Sequence, residues 1–280
     1  ELKKLDNLEI KTRTSVAAYH GYNYLLAREN LTDHLPKNEK QNKVRQRLLK
    51  IRAKKVIVAT GSLERPLVFN NNDRPGIMLS SAVKKYADYY GVATGQKNIL
   101  FTNNDTAYES AIALNNKGIK VEAIVDIREN PNSEFTKEAE TLGIKIYKNY
   151  TVVDTHGYKK LNKITIMELS KDGQSFANSN KIILDCDCLG MAGGWTPAVH
   201  LFTQSGGKLT FRDKDQVFIP NKYPSDQISL GSCNGDFELD EIIKNASKKL
   251  KEFLSINQTD YGDLNVKCPK DKAIRNIWLL

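Results

Sequence analysis

Apolar and polar residues alternate along the first part of the chain, which predicts strands rather than helices. The alternating run Leu8–Tyr19 predicts a strand, with Tyr22–Glu29 as its hairpin partner. The charged stretch Asp33–Arg47 predicts an exposed loop before Leu48–Arg52. A short apolar run, Val56–Ala59, then stops at Thr60 and Gly61. Such a run predicts a buried central strand of a parallel sheet, whose carboxyl end is where open α/β sheets bind ligands.

Helical and strand-like patterns alternate in the middle of the chain. The predicted helices are Ser80–Tyr90, Asp105–Asn116 and Ser133–Leu142, and the predicted strands are Lys97–Thr102, Lys120–Asp126 and Lys145–Tyr150. This order predicts a βαβ unit of Rossmann type. Thr151–Leu169 and Lys181–Leu184 then predict a strand meander. Residues 91–190 are therefore expected to form an inserted second Rossmann-like domain.

The remaining chain is expected to return to the first domain. Gly193–Pro197 is a turn rich in small residues, and Gln227–Leu230 predicts a last strand that ends at Gly231. Leu239–Leu254 has an apolar stripe at helical spacing. We therefore expect residues 1–90 and 191–256 to belong to a first nucleotide-binding domain. Residues 257–280 are expected to be a linker towards a further domain.

Composition and charge exclude several classes of function. The chain of 280 residues has 42 Lys and Arg against 33 Asp and Glu, a net charge of +9, with the two signs interspersed. Without a basic helix or an aromatic-interleaved patch, nucleic-acid binding is not expected. No apolar run has the length of a membrane span. The sequence predicts a cytoplasmic protein that has no membrane partner.

The nucleophilic and metal-binding side chains form no recognisable catalytic pattern. Cys186 and Cys188 alternate on a predicted strand and should point to opposite faces, and no C-x-x-C motif occurs. The four histidines are widely separated. We therefore predict no catalytic residue and no metal site in this chain, and the absence of C-x-x-C argues against a disulfide reductase.

Four segments together resemble one protein family. They are Val56–Met78 (which includes the motif Glu64-Arg65-Pro66), Thr102–Tyr108, Gly193–Pro197 with His200–Lys208, and Gly231–Glu241. They resemble the α subunit of heterotetrameric sarcosine oxidase, in the two-dinucleotide-binding-domain flavoprotein superfamily. This resemblance implies a glutathione-reductase-like α/β fold. It also implies that the fold is incomplete at the N-terminus, because the Gly-rich pyrophosphate turn of the superfamily would lie before Glu1.

The resemblance implies cofactors, partners and a reaction. In that family this chain holds NAD where relatives hold FAD, whereas FAD, FMN and tetrahydrofolate belong to the full complex. The partners are β, γ and δ subunits and a small-molecule amine. The complex demethylates sarcosine to glycine, with hydrogen peroxide and either formaldehyde or 5,10-methylenetetrahydrofolate. The 280-residue chain by itself is expected to oxidise no amine.

The resemblance also implies a set of cofactor-binding residues. They are Val16, Thr60, Gly61, Gly231, Ser232, Gly235, Phe237 and Leu239. The backbone at Val16 resembles the adenine-edge contact, and the helix that begins at Leu239 resembles one whose N-terminus faces the pyrophosphate. Gly61 is expected to allow close backbone approach, so that Gly61→Val should weaken cofactor retention more than it lowers thermal stability.

The second Rossmann-like domain is predicted to bind no dinucleotide. Its first turn, Thr102–Tyr108, has no glycine, although a pyrophosphate-binding turn needs G-x-G-x-x-G. Asp105 is expected at the N-cap of the following helix, where its carboxylate would take the N–H groups that a phosphate uses. Asp126 is evidence against this prediction, because it ends the second strand, where NAD-binding units carry a ribose-binding acid.

Two other functions remain open. One is the A subunit of a related amine or amino-acid dehydrogenase (opine, proline or cyanide-forming glycine dehydrogenase), which shares the Ala59-Thr60-Gly61 and Glu-Arg-Pro elements. The other is a non-catalytic docking module whose nucleotide is vestigial. The Phe69–Met78 segment favours sarcosine oxidase.

Overall fold

The computed structural model describes residues 4–40, 42–224, 226–255 and 274–277. Its helices and strands are, in chain order, β1 (Thr14–His20), β2 (Tyr24–Asn30), α1 (Lys37–Lys40), β3 (Gln46–Arg52), β4 (Val56–Val58), β5 (Ser62–Glu64), β6 (Ile77–Leu79), α2 (Ser80–Tyr90), β7 (Asn98–Thr102), α3 (Thr106–Asn115), β8 (Val121–Asp126), α4 (Glu134–Thr141), β9 (Lys145–Lys148), β10 (Tyr150–His156), β11 (Lys163–Leu169), β12 (Phe176–Asp185), β13 (Cys188–Ala192), β14 (Trp195–Pro197), α5 (His200–Gln204), β15 (Lys208–Arg212), β16 (Val217–Lys222), β17 (Gln227–Ser229) and α6 (Leu239–Leu254). In these parts of the chain, no helix is both long and apolar enough to cross a membrane.

The first three strands form a small antiparallel sheet in the order β1-β2-β3. Tyr22 and Asn23 make the hairpin turn with positive φ values, and the Asn23 carboxamide accepts a hydrogen bond of 2.7 Å from the Tyr19 hydroxyl. The first predicted strand was too long, because β1 starts only at Thr14. The stretch 33–47, predicted to be a loop throughout, contains the single-turn helix α1 and the start of β3.

A five-stranded parallel sheet is the centre of the second unit, in the order β6-β13-β7-β8-β9. Residues of α2, α3 and α4 cover one face, where they pack against Leu100 and Ile124. The antiparallel sheet β10-β11-β12 covers the other face, where it packs against Ile99 and Phe101. Because neighbouring residues of a strand point to opposite faces, β7 serves both interfaces. The result is three layers: helices, parallel sheet and meander.

Cys186 and Cys188 show the same alternation. Cys186 belongs to the hydrophobic cluster between the parallel sheet and the meander, and Cys188 belongs to the cluster between the parallel sheet and the helices. Burial raises the pKa of the Cys186 thiol to about 12 and also raises that of Cys188. Both thiols, like that of Cys233, are free and buried, so they are poor nucleophiles.

The first unit is assembled from short strands of distant parts of the chain. β4 pairs in parallel with β17, β5 pairs antiparallel with β14, and β15 and β16 form a hairpin. The strand predicted at Val56–Ala59 forms as β4 and pairs in parallel, but among the described residues it is not a central strand. Among the described residues, β4 has β17 as its one partner strand, and Ile57 is 43% exposed because no described element covers its outer face.

Candidate functional site

The carboxyl ends of β4 and β17 meet at the predicted cofactor-binding turns. Leu230 donates its N–H to the carbonyl of Val58 at 2.9 Å, which fixes the two strand ends side by side. Gly61 then lies next to Ser232, since a Cβ added to Gly61 would be 4.0 Å from the Ser232 Oγ. The structure therefore brings together two segments that are 170 residues apart in sequence. Ligand binding at the carboxyl ends of parallel strands is typical of open α/β sheets.

The glycine at position 61 is favoured by its backbone conformation. Its φ is +75°, in the left-handed region that favours glycine, and its nearest non-neighbouring atom is at ordinary contact distance. A valine here would strain the backbone by about 1–3 kcal/mol whether or not a cofactor is bound. A loss of stability is therefore expected for Gly61→Val in addition to the predicted weakening of cofactor retention.

Thr60 and Gly61 connect the segment that leads from the first unit to the second with the segment that returns from the second unit to the first. The Thr60 hydroxyl donates to the carbonyl of Ala198 at 2.7 Å, and the Gly61 carbonyl accepts the Ala198 N–H at 3.0 Å. The hydroxyl proton of Thr60 is thus used within the protein. The oxygen of the Thr60 hydroxyl can still accept a hydrogen bond from a ligand at this turn.

A cleft of about 550 Å³ opens beside this turn, between the two units. The residues that line it are Ser62, Ser232, Phe237, Glu238, Leu239 and Ile242 from the first unit, Thr106, Glu109 and Phe135 from the second, and Trp195 from the strand that returns between them. Its volume lies in the usual range of small-molecule sites. Three predicted binding residues, Ser232, Phe237 and Leu239, are part of this lining.

The sequence prediction missed the part of the cleft that the second unit contributes. Thr106 and Glu109 begin α3 and Phe135 begins α4, so they reach the first unit only through the packing of the two units. Trp195 had been noted only as part of a turn of small residues. The sequence signal that could have identified Trp195 as a cleft residue is its position beside Gly193 and Gly194, at a strand end.

Val16 and Gly235 lie outside the cleft lining. Val16 is on the exposed side of β1, beside a register shift between Val16 and Ala18. Gly235 ends the turn at Gly231–Asn234 with a φ of +90°, and its carbonyl accepts a hydrogen bond of 2.8 Å from the Arg212 guanidinium. Arg212 also lies 5.7 Å from the centre of the Phe237 ring. Gly235 therefore shapes the loop that carries Phe237 into the cleft.

The start of α6 is strongly acidic. Asp240 and Glu241 lie in its first turn, Glu238 is its N-cap residue, and Asp236 accepts hydrogen bonds of 3.1 Å from Asn234 and Asn245. These carboxylates already complement the positive end of the helix dipole. A diphosphate at this helix end would meet their negative charge, so the structure does not favour the expected pyrophosphate contact at Leu239.

The lining of the cleft suits an aromatic ring that is uncharged or positively charged. Trp195, Phe135 and Phe237 supply aromatic surface, and Glu238 supplies a carboxylate. A second lining carboxylate, Glu109, is paired with Lys84. Among the described residues that line the cleft there is no lysine or arginine. An oxidised nicotinamide ring is a cation, and cations are attracted to aromatic faces and to carboxylates. These residues therefore fit the ring end of NAD better than its phosphates.

The Glu-Arg-Pro motif is structural in this molecule. The Glu64 carboxylate accepts hydrogen bonds from the backbone N–H (2.9 Å) and the hydroxyl (2.5 Å) of Ser81, in the first turn of α2. Burial raises the pKa of Glu64, although both of these bonds act in the opposite direction. Arg65 donates to the carbonyls of Asp215 and Gln216 at 3.0 and 3.1 Å. The motif thus fastens α2 and the β15–β16 hairpin to β5.

At the carboxyl ends of β7 and β8, the second unit contains a buried charged network. Arg128 lies 2.6 Å from Asp105 and 2.8 Å from Asp126, and Tyr108 donates to Asp126 at 2.7 Å. Burial raises the pKa of Asp126, and its bonds to Arg128 offset part of that rise. Asp126, predicted as a candidate ribose ligand, is fully buried in this network.

The predicted role of Asp105 as a side-chain N-cap was wrong. Its carboxylate makes no capping hydrogen bond and faces Arg128 instead. The neighbouring Asn104 carries out the capping, since its side-chain oxygen accepts the Thr106 N–H at 2.9 Å and the Thr106 hydroxyl at 2.6 Å. Asn104 caps the helix in place of Asp105 because Arg128 attracts the Asp105 carboxylate.

Comparison with known proteins gives two kinds of similarity. No family model matches the sequence. The chain is 36% identical over 228 residues to a sarcosine oxidase subunit alpha of Corynebacterium sp. (strain P-1), and 33% identical over 219 residues to that of Rhizobium meliloti (strain 1021). These matches cover 81% and 78% of this chain but only 23% and 21% of the relatives, so the chain spans less than a quarter of their length.

Solved structures share the fold at low sequence identity. An L-proline dehydrogenase from P. horikoshii aligns with a TM-score of 0.53 and 21% identity, over 79% of this chain and 36% of the other. A thioredoxin reductase from T. acidophilum aligns with a TM-score of 0.57 and 15% identity, over 87% and 72%. The two-dinucleotide-binding-domain fold is thereby confirmed, as is the resemblance of the sequence to the α subunit.

Proposed function

We propose that this chain, which is homologous over about four fifths of its length to part of the sarcosine oxidase α subunit, is the dinucleotide-binding portion of such a subunit. The observation that carries this proposal is the cleft beside Gly61 and Ser232, which joins predicted binding residues to aromatic and acidic side chains. NAD is the proposed cofactor. The remaining assignments of cofactor-binding residues, Val16 and Thr60 included, stay predictions.

The chain's own residues would act on NAD by position and charge. Trp195, Phe135 and Phe237 would enclose the nicotinamide end and exclude water, and the Glu238 carboxylate would favour its cationic form. Bound there, the nicotinamide would supply a ring able to accept a hydride. The chain itself is proposed to bind and orient the cofactor rather than to abstract a proton.

The activity of the whole complex follows from the relatives' name and is proposed on that basis. The complex would demethylate sarcosine to glycine together with β, γ and δ subunits that carry FAD, FMN and tetrahydrofolate, with hydrogen peroxide and formaldehyde or 5,10-methylenetetrahydrofolate as the other products. A cytoplasmic location is part of the same proposal. The dehydrogenase A-subunit alternative predicts turnover of proline or an opine instead of sarcosine.

The test combines cofactor identification with one aromatic variant. The purified protein is denatured, the released nucleotide is identified by mass spectrometry, and NAD+ binding is measured by calorimetry. Trp195→Ala should weaken binding about tenfold, which corresponds to one aromatic contact worth about 1.4 kcal/mol. Tyr158→Ala, at a 94% exposed aromatic remote from the cleft, is the matched control.

Four outcomes would count against the proposal. FAD or no nucleotide in the protein would contradict the choice of NAD. Equal NAD+ affinity of the Trp195 and Tyr158 variants would contradict the location. Turnover of proline but not of sarcosine by the assembled complex would favour the dehydrogenase alternative, and normal complex assembly without any nucleotide would favour a docking module.

A further inference from the structure

The second unit has a crevice where a doubly wound sheet would hold its ligand. The strand order places β7, β8 and β9 in sequence on one side, and β13 and β6 on the other. The order therefore reverses between β7 and β13. At such a point the loops leave the carboxyl ends of neighbouring strands in opposite directions, and a crevice opens between them.

Residues 274–277 lie in this crevice. Arg275 donates its backbone N–H to the carbonyl of Asn103, the residue that follows β7, at 3.1 Å. The side-chain amide of Asn103 donates in return to the carbonyls of Arg275 (3.1 Å) and Ile277 (3.3 Å). Asn103 thus binds the backbone of the segment from two sides, as a strand partner would.

The Arg275 side chain ties the segment to other ends of strands. Its Nη1 donates to the carbonyl of Ile127, just after β8, at 2.6 Å and to the Asn149 side chain, just after β9, at 2.9 Å. Its Nη2 donates to the carbonyl of Lys171 at 3.3 Å. One guanidinium fork therefore connects the parallel sheet with the meander.

Apolar contacts complete the fit. Ile277 packs against the cluster between the parallel sheet and the meander. A Cβ on Gly173 would lie 2.6 Å from atoms of Arg275 and Ile277, and a Cβ on Gly194 would lie 2.7 Å from Ile274. Both glycines have positive φ values, which already favour glycine, and their missing side chains leave the room that the segment fills.

The crevice lacks what a dinucleotide needs. Its turn at Asn103–Asp105 is buried and contains no glycine, and Asp126 is engaged with Arg128 and Tyr108. We propose that this crevice is a peptide-binding site whose ligand is the chain's own segment 274–277, which takes the place of the second dinucleotide. Residues 257–280 had been expected to be a linker, and of these the structure describes only this segment.

Hydrogen exchange of the purified native protein tests the proposal without any variant. The backbone N–H groups of Arg275 and Ile277 both donate hydrogen bonds, so they should exchange at least tenfold more slowly than in an unstructured peptide. Exchange at the unstructured rate in the wild-type protein would overturn the proposal.

Variants then identify the contacts that hold the segment. Arg275→Ala and Asn103→Ala should each accelerate exchange at 274–277 about tenfold or more and also expose the turn at 103–105. Arg45→Ala removes an exposed arginine that pairs with Asp33 far from the crevice, and it should change neither region. Unchanged exchange in both crevice variants would contradict the assignment of these contacts.

Photo-crosslinking with an azido-NAD+ provides a second readout. Label on the first-unit cleft alone is the expected pattern, both in the wild type and in Arg275→Ala. Label on the turn at 103–105 of the wild-type protein would show that the crevice accepts a dinucleotide, and it would refute the proposal even if NAD binding at the first cleft were confirmed.

Discussion

Replacing Arg128 by methionine should unfold the second unit more easily, and the penalty should depend on pH. The Arg128 guanidinium lies against the buried carboxylates of both Asp105 and Asp126. Methionine keeps much of the side-chain volume but none of the charge. Removing one partner of a buried ion pair typically costs about 3–5 kcal/mol, because the other charge is left without compensation.

The pH dependence has a definite sign. Burial already raises the pKa of Asp126 above its value in the unfolded chain, and the bonds from Arg128 hold that rise back. Without Arg128 the folded-state pKa rises further. The folded protein then carries a penalty at any pH above that pKa. The penalty disappears as the pH falls towards the unfolded value of about 4, where Asp126 is protonated in both states.

Urea denaturation between about pH 4 and 8 measures this penalty. Arg128→Met should lose about 3–5 kcal/mol near neutral pH and much less at the acidic end. Adding Asp126→Asn to it should recover a large part of the loss near neutral pH, since one buried charge is removed. Arg45→Met, which breaks an exposed pair with Asp33, should cost at most about 1 kcal/mol. A penalty for Arg128→Met that is equal at all pH values would show that lost packing, not charge, is responsible.

Three further predictions follow from the first unit. Gly61→Val should lower the free energy of unfolding by about 1–3 kcal/mol in denaturant titrations, whereas Gly21→Val, at an open position without positive φ, should change it little. Glu64→Ala should cost about 1–3 kcal/mol because Ser81 loses its acceptor, and Glu64→Gln should cost less. Since burial raises the Glu64 pKa, the wild type should lose stability relative to Glu64→Gln as the pH rises above about 4; a constant difference would refute this. Calorimetry should show NAD+ binding about tenfold more tightly than NADH, because the Glu238 carboxylate lines the cleft and none of the described lining residues is a lysine or arginine; equal affinities would contradict this.

Local patterns in the sequence were sufficient for most helices and strands. The bounds of α2 and α6 were predicted to the residue, because their apolar stripes and the left-handed Gly91 after α2 are local signals. The parallel strands β7, β8 and β9 were found for the same reason, whereas β6 and β13 of the same sheet were not predicted. The position of β4 in its sheet was not predicted correctly. A run of apolar residues does not specify which elements will cover the two faces of the strand.

The site depended on contacts that sequence spacing does not encode. Phe135 and Glu109 reach the cleft through the packing of two units, and Trp195 through the pairing of β14 with β5. Asp105 had the sequence position of a cap, but Arg128, 23 residues later, competes for its carboxylate. Residues 274–277 lack any motif, and their place in the crevice follows only from the completed sheet.

The contact between Asn103 and Arg275 also sets an order of events during synthesis. The two residues are separated by 172 positions, and a ribosome that adds about 5–20 residues per second needs roughly 9–34 s to cover that distance. The parallel sheet of the second unit, complete once β13 has emerged, must therefore wait with its crevice uncovered. A nascent chain therefore has an open crevice until residues 274–277 have been synthesised, and closure of the crevice marks the completion of the second unit.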